Sequence, residues 1–297
     1  MKKTKKNALI LFLLLFSVSP SFCMDLRFKL SGGYGSLKLE EVNRSLQGWA
    51  EWQKELTIFR VNWFLLGEEV KKFNAGFDFR GEIMAFFTPR IAVSIGAGFI
   101  YGEHIEEKNE LFIDLNTKLY AFARPAKVSA FPLILSAYYF NPLNKKFDLF
   151  LKGGAGLIWA KYIERAGNKR IELKELEAGE IESGNFTYID SEFISASARD
   201  FIFVGGLGLS YRIDASLSLF VEGEARWAKI NGFQGETHEG ETEELYFFEE
   251  YSSDIDFWRP RLKMSAEEPT GDNFRSVKKA VVDFSGYSVK IGLLIKF

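Results

Sequence analysis

The chain is poor in the residues that most often carry chemistry. One Cys among 297 residues excludes a disulfide framework. One Cys with two His is too few for a zinc site of the usual kind. Lys and Arg number 38 against 40 Asp and Glu, so there is no basic excess of the sort that binds nucleic acid. Only seven Pro are present, and no apolar run is long enough for a spanning helix. Past the first 24 residues, the longest uncharged stretch, 128–144, is interrupted by Pro132 and Pro142. Disorder is excluded from the other side, because 47% of the residues are hydrophobic. What is abundant is aromatic: 16% of the chain, 30 of those residues being Phe, a composition that suits strands with much apolar surface.

The first residues read as an address. Lys2, Lys3, Lys5 and Lys6 precede the apolar run 8–16, and small residues follow up to Cys23. This is the layout of a secretory signal over 1–23, leaving 24–297 as the mature domain. Cys23 could alternatively carry a lipid, although the bulky Phe22 before it departs from that signal. An exported chain this apolar must either bury its greasy side chains in a soluble core or turn them toward lipid.

Alternation with a period of two decides between these. Leu217, Leu219, Val221, Gly223, Ala225 and Trp227 share one face, opposite Ser218, Phe220, Glu222, Glu224 and Arg226. Phe77, Phe79, Ile83, Ala85 and Phe87 face away from Asp78, Arg80 and Glu82. The last segment sets Tyr287, Val289, Ile291, Leu293, Ile295 and Phe297 against Ser288, Lys290, Gly292, Leu294 and Lys296. Further segments at 25–39, 90–102, 127–140, 147–163 and 199–213 bring the number to eight, an even number as bacterial barrels require. Connections alternate between short (88–90, 141–146, 214–215) and long (40–73, 103–126, 164–198, 231–279). Short turns at one end and long loops at the other predict an all-β, eight-stranded antiparallel up-and-down transmembrane barrel. Trp159 and Trp227 would then form a girdle at the outer interface, with Phe87, Tyr139, Tyr211 and Phe297 at the inner one.

The signal, the eight segments and the ending from Tyr287 to Phe297 resemble the small outer-membrane β-barrel superfamily of OmpA, OmpX and OmpW type. The resemblance implies that Tyr287, Val289, Ile291, Leu293, Ile295 and Phe297 form the signal read by the barrel-assembly machinery. It also implies an outer-membrane address in a Gram-negative-type bacterium, with membrane lipid and lipopolysaccharide as neighbours. Nothing follows the last strand, so a periplasmic peptidoglycan-binding domain like that of OmpA is not expected.

Charges on the inward faces come next. Arg27, Lys29, Asp78, Arg80, Glu82, Glu222, Glu224, Arg226 and Lys290 would share one lumen, where unpaired charge is costly. They form either a salt-bridged plug or the lining of a narrow pore, and Ile134, Tyr138, Ile202, Val204 and Phe220, also inward, favour the plug. Gly-rich patches at 32–35, 96–98, 153–156 and 205–208 sit inside strands rather than before a helix, which suits close strand approach better than phosphate binding. Pro132 falls inside the fourth strand and calls for a bulge. His104 and His238 fall in loops. His238 beside Glu239 imitates the rim histidine of barrel enzymes, but no Ser or Asp completes it, so neither enzyme nor cofactor is expected. The run 234–256 holds nine acidic residues and no Lys or Arg, which predicts a solvated loop or a calcium site shared with lipopolysaccharide phosphates. Leu46, Trp49, Gln53 and Leu56 recur at helical spacing, with Asn43 as the candidate cap. With Trp52 and Trp63, that segment would lie on the outer leaflet, cap the barrel mouth or pack on its own loops. The function expected is structural or surface-interacting, in envelope integrity or adhesion; passive passage of small apolar molecules, as in OmpW-like barrels, is the alternative.

Overall fold

A computed structural model describes residues 25–59, 63–66, 72–104, 111–114, 118–123, 125–172, 187–236, 242–253 and 255–297. The expected signal segment and His238 lie outside them. Eight long strands make the barrel: β1 (Asp25–Ser36), β2 (Ala75–Phe86), β3 (Ile91–His104), β4 (Ala126–Pro142), β5 (Phe147–Glu172), β6 (Thr187–Arg212), β7 (Leu217–Trp227) and β8 (Gly286–Lys296). Each pairs antiparallel with the next, and β8 pairs with β1, so the sheet closes on itself.

The register fixes the barrel's shape. From Asp25 the paired residues run through Phe86, Ala92, Tyr138, Lys152, Gly206, Glu224 and Ser288, and return to β1 at Gly35, ten residues further on. A stagger of that size over eight strands tilts them by about 40° and leaves an interior just wide enough to be filled by side chains. Three turns at one end are tight and share one device. Thr88 Oγ1 accepts from the backbone N–H of Arg90 and Ile91 at 3.2 and 3.0 Å. Asn144 Oδ1 does the same for Lys146 and Phe147, and Asp214 Oδ1 for Ser216 and Leu217.

Alternation along each strand sorts the side chains. Outward residues of β2 such as Phe79 and Ile83 are more than half exposed, while inward Asp78, Arg80 and Glu82 are buried. The outward face is a band of Leu, Ile, Val and Phe, edged above by Trp159 and Trp227 and below by Phe87, Tyr139 and Phe297, all exposed, with Tyr211 half-buried. Beyond Trp159 the next outward residue of β5 is the exposed Lys161, and beyond Phe201 on β6 it is Arg199. On both strands a charged outward residue follows the apolar or aromatic one at that height.

Two expected loops are largely strand. β5 continues thirteen residues past Trp159 and β6 returns alongside it, roughly 40 Å of strand above the band. Up to Glu164 the inward residues Ala160, Tyr162 and Glu164 stay buried under the lid, and residues 166–172 and 187–193 are described in backbone alone. Lys118–Ala123 pairs with the upper part of β5, Leu111–Asp114 with that, and Trp63–Leu66 with that in turn. The fourth long connection also folds, as Thr242–Ser252 paired with both Phe257–Ser265 and Phe274–Lys279.

The bulge expected at Pro132 is absent. On the β5 side Pro132 stands in continuous register opposite Ile158. On the β3 side the ladder lapses between Ala97↔Leu133 and Ile100↔Ala130 and resumes with no shift. The residue facing Pro132 across that lapse is Gly98, and the missing donor is met by the loss of two rungs rather than by an extra residue.

Candidate functional site

The lumen is filled in three layers. Next to the short turns lies an aromatic floor of Phe86, Tyr138, Phe140, Phe150 and Phe220 with Met84, Ala92 and Leu294. Phe140 and Phe150 approach with ring centroids 5.5 Å apart, and Phe150 and Phe220 meet edge to face at 6.0 Å. Arg27 belongs to this end. Its guanidinium lies 3.9 Å over the Phe86 ring and pairs with Asp25 at 2.8 Å, so it does not join the expected central network. Sitting one step from the mouth, its long side chain reaches solvent more cheaply than it reaches the centre.

The middle layer holds the other eight expected charges. Arg80 grips Glu224 with two hydrogen bonds, at 2.6 and 3.0 Å. Lys290 bridges Glu224 and Asp78, each at 2.9 Å, and Arg226 reaches Asp78 at 2.7 Å. Lys29 pairs with Glu222 and lies 3.6 Å from Glu82. Glu82 is further held by Ser94 Oγ and by the Tyr138 hydroxyl, both donating at 2.7 Å. A ninth member, Lys152, went unread in the sequence. Its ammonium donates to Glu82, Glu222 and Glu224 at 3.3, 3.1 and 2.8 Å, so three carboxylates share it. Its place on the same face as Phe150, opposite Leu151, was the signal available. All nine side chains are buried, five cations against four anions.

The top layer is apolar and extends beyond the barrel. Ile100, Val128, Ile134, Ile158, Tyr162 and Ile202 continue into Leu37, Leu39, Phe73, Ile230, Phe233 and Phe284 from the connections above. A helix, α1 (Glu40–Phe59), completes this lid. Val42, Leu46 and Trp49 repeat at helical spacing and are buried, and Glu40 and Glu41 favour the helix N-terminus by charge. The helix starts before Asn43, so that residue is not its cap. Its side chain instead binds the backbone N–H and C=O of Phe73 at 2.8 and 3.0 Å. Gly48 sits where a Cβ would lie 2.5 Å from Pro260, which lets α1 close on Phe257–Ser265. Trp52 stacks under Arg259 at 4.4 Å. The helix therefore packs on its neighbouring loop and caps the mouth at once, whereas Trp63 is described in backbone alone.

Within the described residues the acidic run is largely strand with paired carboxylates, while Glu239, Glu241 and Asp254 lie outside them. Glu244 pairs with Lys279 at 2.7 Å, Glu250 with Arg261 at 2.5 Å, and Glu249 with both Arg275 and Arg44 at 2.5 and 2.6 Å. The hydrogen bond from Lys279 holds the Glu244 carboxyl below its ordinary range, and the same bond raises Lys279. The cations are distant in sequence, so a local charge count missed them. Among the described residues no group of three His, Cys, Asp or Glu is placed to hold a metal. His104 ends β3 rather than lying in a loop, buried beneath the lid beside Phe73.

These features define a membrane-spanning β-barrel whose interior is packed shut by its own side chains. No protein-family model matches the chain, and no curated protein matches it. Solved structures similar to it include Ail, the attachment invasion locus protein of Yersinia pestis, in complex with the heparin analogue sucrose octasulfate. That likeness has 10% identity, covers 92% of this chain and 99% of Ail, and has a TM-score of 0.36. The outer membrane protein OprG from Pseudomonas aeruginosa matches at 10% identity over 92% of this chain and 95% of its own, with a TM-score of 0.37. The outer membrane protease OmpT from Escherichia coli matches at 10% identity over 94% and 99%, with a TM-score of 0.27.

Proposed function

We propose that this chain is a non-conducting outer-membrane barrel that works through its extracellular surface, as an anchor for envelope integrity or adhesion. One observation carries this reading: the lumen is occupied over its whole height, by an aromatic floor, a buried network of nine charges and an apolar lid. A pore would need a continuous wet path, and each layer opposes one. The β5–β6 arm and the strands around it offer the surface through which such a barrel would act. The reading is non-catalytic, which the burial of His104 supports. Planar-bilayer recording of the folded protein checks it, with the bilayer expected to stay silent. Discrete steps with the lid intact would favour a pore.

A second reading, lateral passage of small apolar molecules, draws on the lapse in the β3–β4 ladder at Phe131 and Pro132. Liposomes carrying the protein would then take up a small apolar solute faster than empty ones, and a Pro132→Val variant, which restores a donor, would slow that uptake.

A further inference from the structure

The lid is crossed by a short stretch of chain that the fold leaves open to solvent. Ile230 and Phe233 are both buried in the apolar top layer. Ile230 is fixed by its pairing with Val282, and the Phe233 carbonyl accepts from the Leu245 backbone N–H at 2.8 Å. Of the two residues between these anchors, Asn231 is exposed and Gly232 half-buried. Gly232 has φ +67°, and a Cβ added there would meet nothing within 4 Å. Among the described residues neither the Asn231 side-chain amide nor the Gly232 N–H has a hydrogen-bond partner. Asn231 is also the one Asn of the chain that Gly follows.

We propose that Asn231–Gly232 is a site of spontaneous covalent modification, at which the lid's own backbone cyclises and rearranges. The Gly232 backbone nitrogen loses its proton to water and attacks Cγ of Asn231. The Cγ–Nδ2 bond breaks and ammonia leaves. Two features favour the attack at this place. Lacking a Cβ, Gly232 brings its nitrogen close without a clash, and neither reacting group has a hydrogen bond to give up first. Water then opens the five-membered imide. Cleavage of the bond from nitrogen to Cγ leaves Asp. Cleavage of the bond from nitrogen to the main-chain carbonyl leaves isoaspartate, whose main chain runs through Cβ and Cγ. Either product adds a carboxylate, and isoaspartate also lengthens the path from Ile230 to Phe233 by one bond, about 1.5 Å. In a segment anchored at both ends in close-packed apolar surface, that extra length dislodges an anchor and loosens the lid.

The test ages full-length protein, folded in detergent micelles, in warm and mildly alkaline buffer, and follows the tryptic peptide that begins at Ile230. Conversion of amide to acid is read by mass, and isoaspartate by enzymatic methyl transfer to its carboxylate. Two other asparagines serve as internal standards. Asn273 is exposed but followed by Phe274, and Asn144 has its Oδ1 held by two backbone N–H groups. Asn231 should convert well ahead of both, at a rate within severalfold of the urea-unfolded chain, and Gly232→Ala should slow it. Aged wild type should then be cleaved faster in α1 by protease than fresh protein, whereas aged Asn231→Gln should match the fresh sample. Fresh Asn231→Asp, which adds the charge without the length, should stay as resistant as fresh wild type. Conversion no faster than at Asn273, or an intact Asn231 after the unfolded chain has converted, would overturn the proposal. Equal cleavage of aged and fresh wild type would overturn its effect on the lid.

Discussion

Among single residues, the lumen charges show what burial demands. Each of the four carboxylates has at least two cationic neighbours within 4 Å. With five cations to four anions, losing an anion worsens the imbalance and losing a cation relieves it. Glu224→Gln strips Arg80 of its two-pronged partner and leaves five cations against three anions, at a cost of about 3–5 kcal/mol. Lys152→Met leaves four against four, and every carboxylate keeps a cation, so it should cost less. Urea midpoints of the folded gel band measure both, and a larger loss for Lys152→Met would refute this ranking.

At the level of elements, strand closure depends on close approach. A Cβ added to Gly292 would lie 2.0 Å from the Leu30 carbonyl oxygen, within the seam that joins β8 to β1. Gly292→Val is expected to abolish the heat-modifiable band, because the last pairing cannot form. The loop strands respond to acid instead. Glu244 is held below its ordinary value by Lys279, so its contribution is present above the unfolded carboxylate range and is lost as pH falls through the lowered value. Lys279 is raised, so its share is present at neutral pH and lost only as pH climbs past that raised value. Limited proteolysis between 242 and 279 should therefore stay flat through neutral pH and rise in strong acid, and Lys279→Met should remove the acid step.

The helix and the arm show why these elements differed in legibility. Strand faces were readable where one side meets lipid and the other the lumen, since the two environments demand opposite chemistry at alternate residues. Residues 164–198 read as loop, because no such alternation is legible there, although the β5–β6 backbone pairing continues into them. Asn43 looked like a cap because helix starts favour it, yet its amide was claimed by Phe73, thirty residues away. Arg27 satisfied the inward parity but not the depth, and parity alone carries no height.

For the whole molecule, the lid and the charged layer are two seals in series. Arg226 links them, donating to the Phe284 carbonyl at 2.7 Å while pairing with Asp78. Loosening the lid should not open the lumen, because the charge network beneath remains. Leu46→Asp, which places a carboxylate in the apolar cluster, is expected to speed protease cleavage in α1 while bilayer conductance stays at zero. Conductance appearing in that variant would show the lid to be the only barrier.

Eight strands, their faces and eight of the nine central charges were written into the order of residues, because a strand between lipid and lumen repeats a chemical contrast every second position. Which carboxylate meets which ammonium, the place of Lys152 among three glutamates and the burial of His104 were decided only by folding. Those partners lie tens to hundreds of residues apart, and the stagger of the closed barrel, which no local pattern encodes, sets their heights relative to one another.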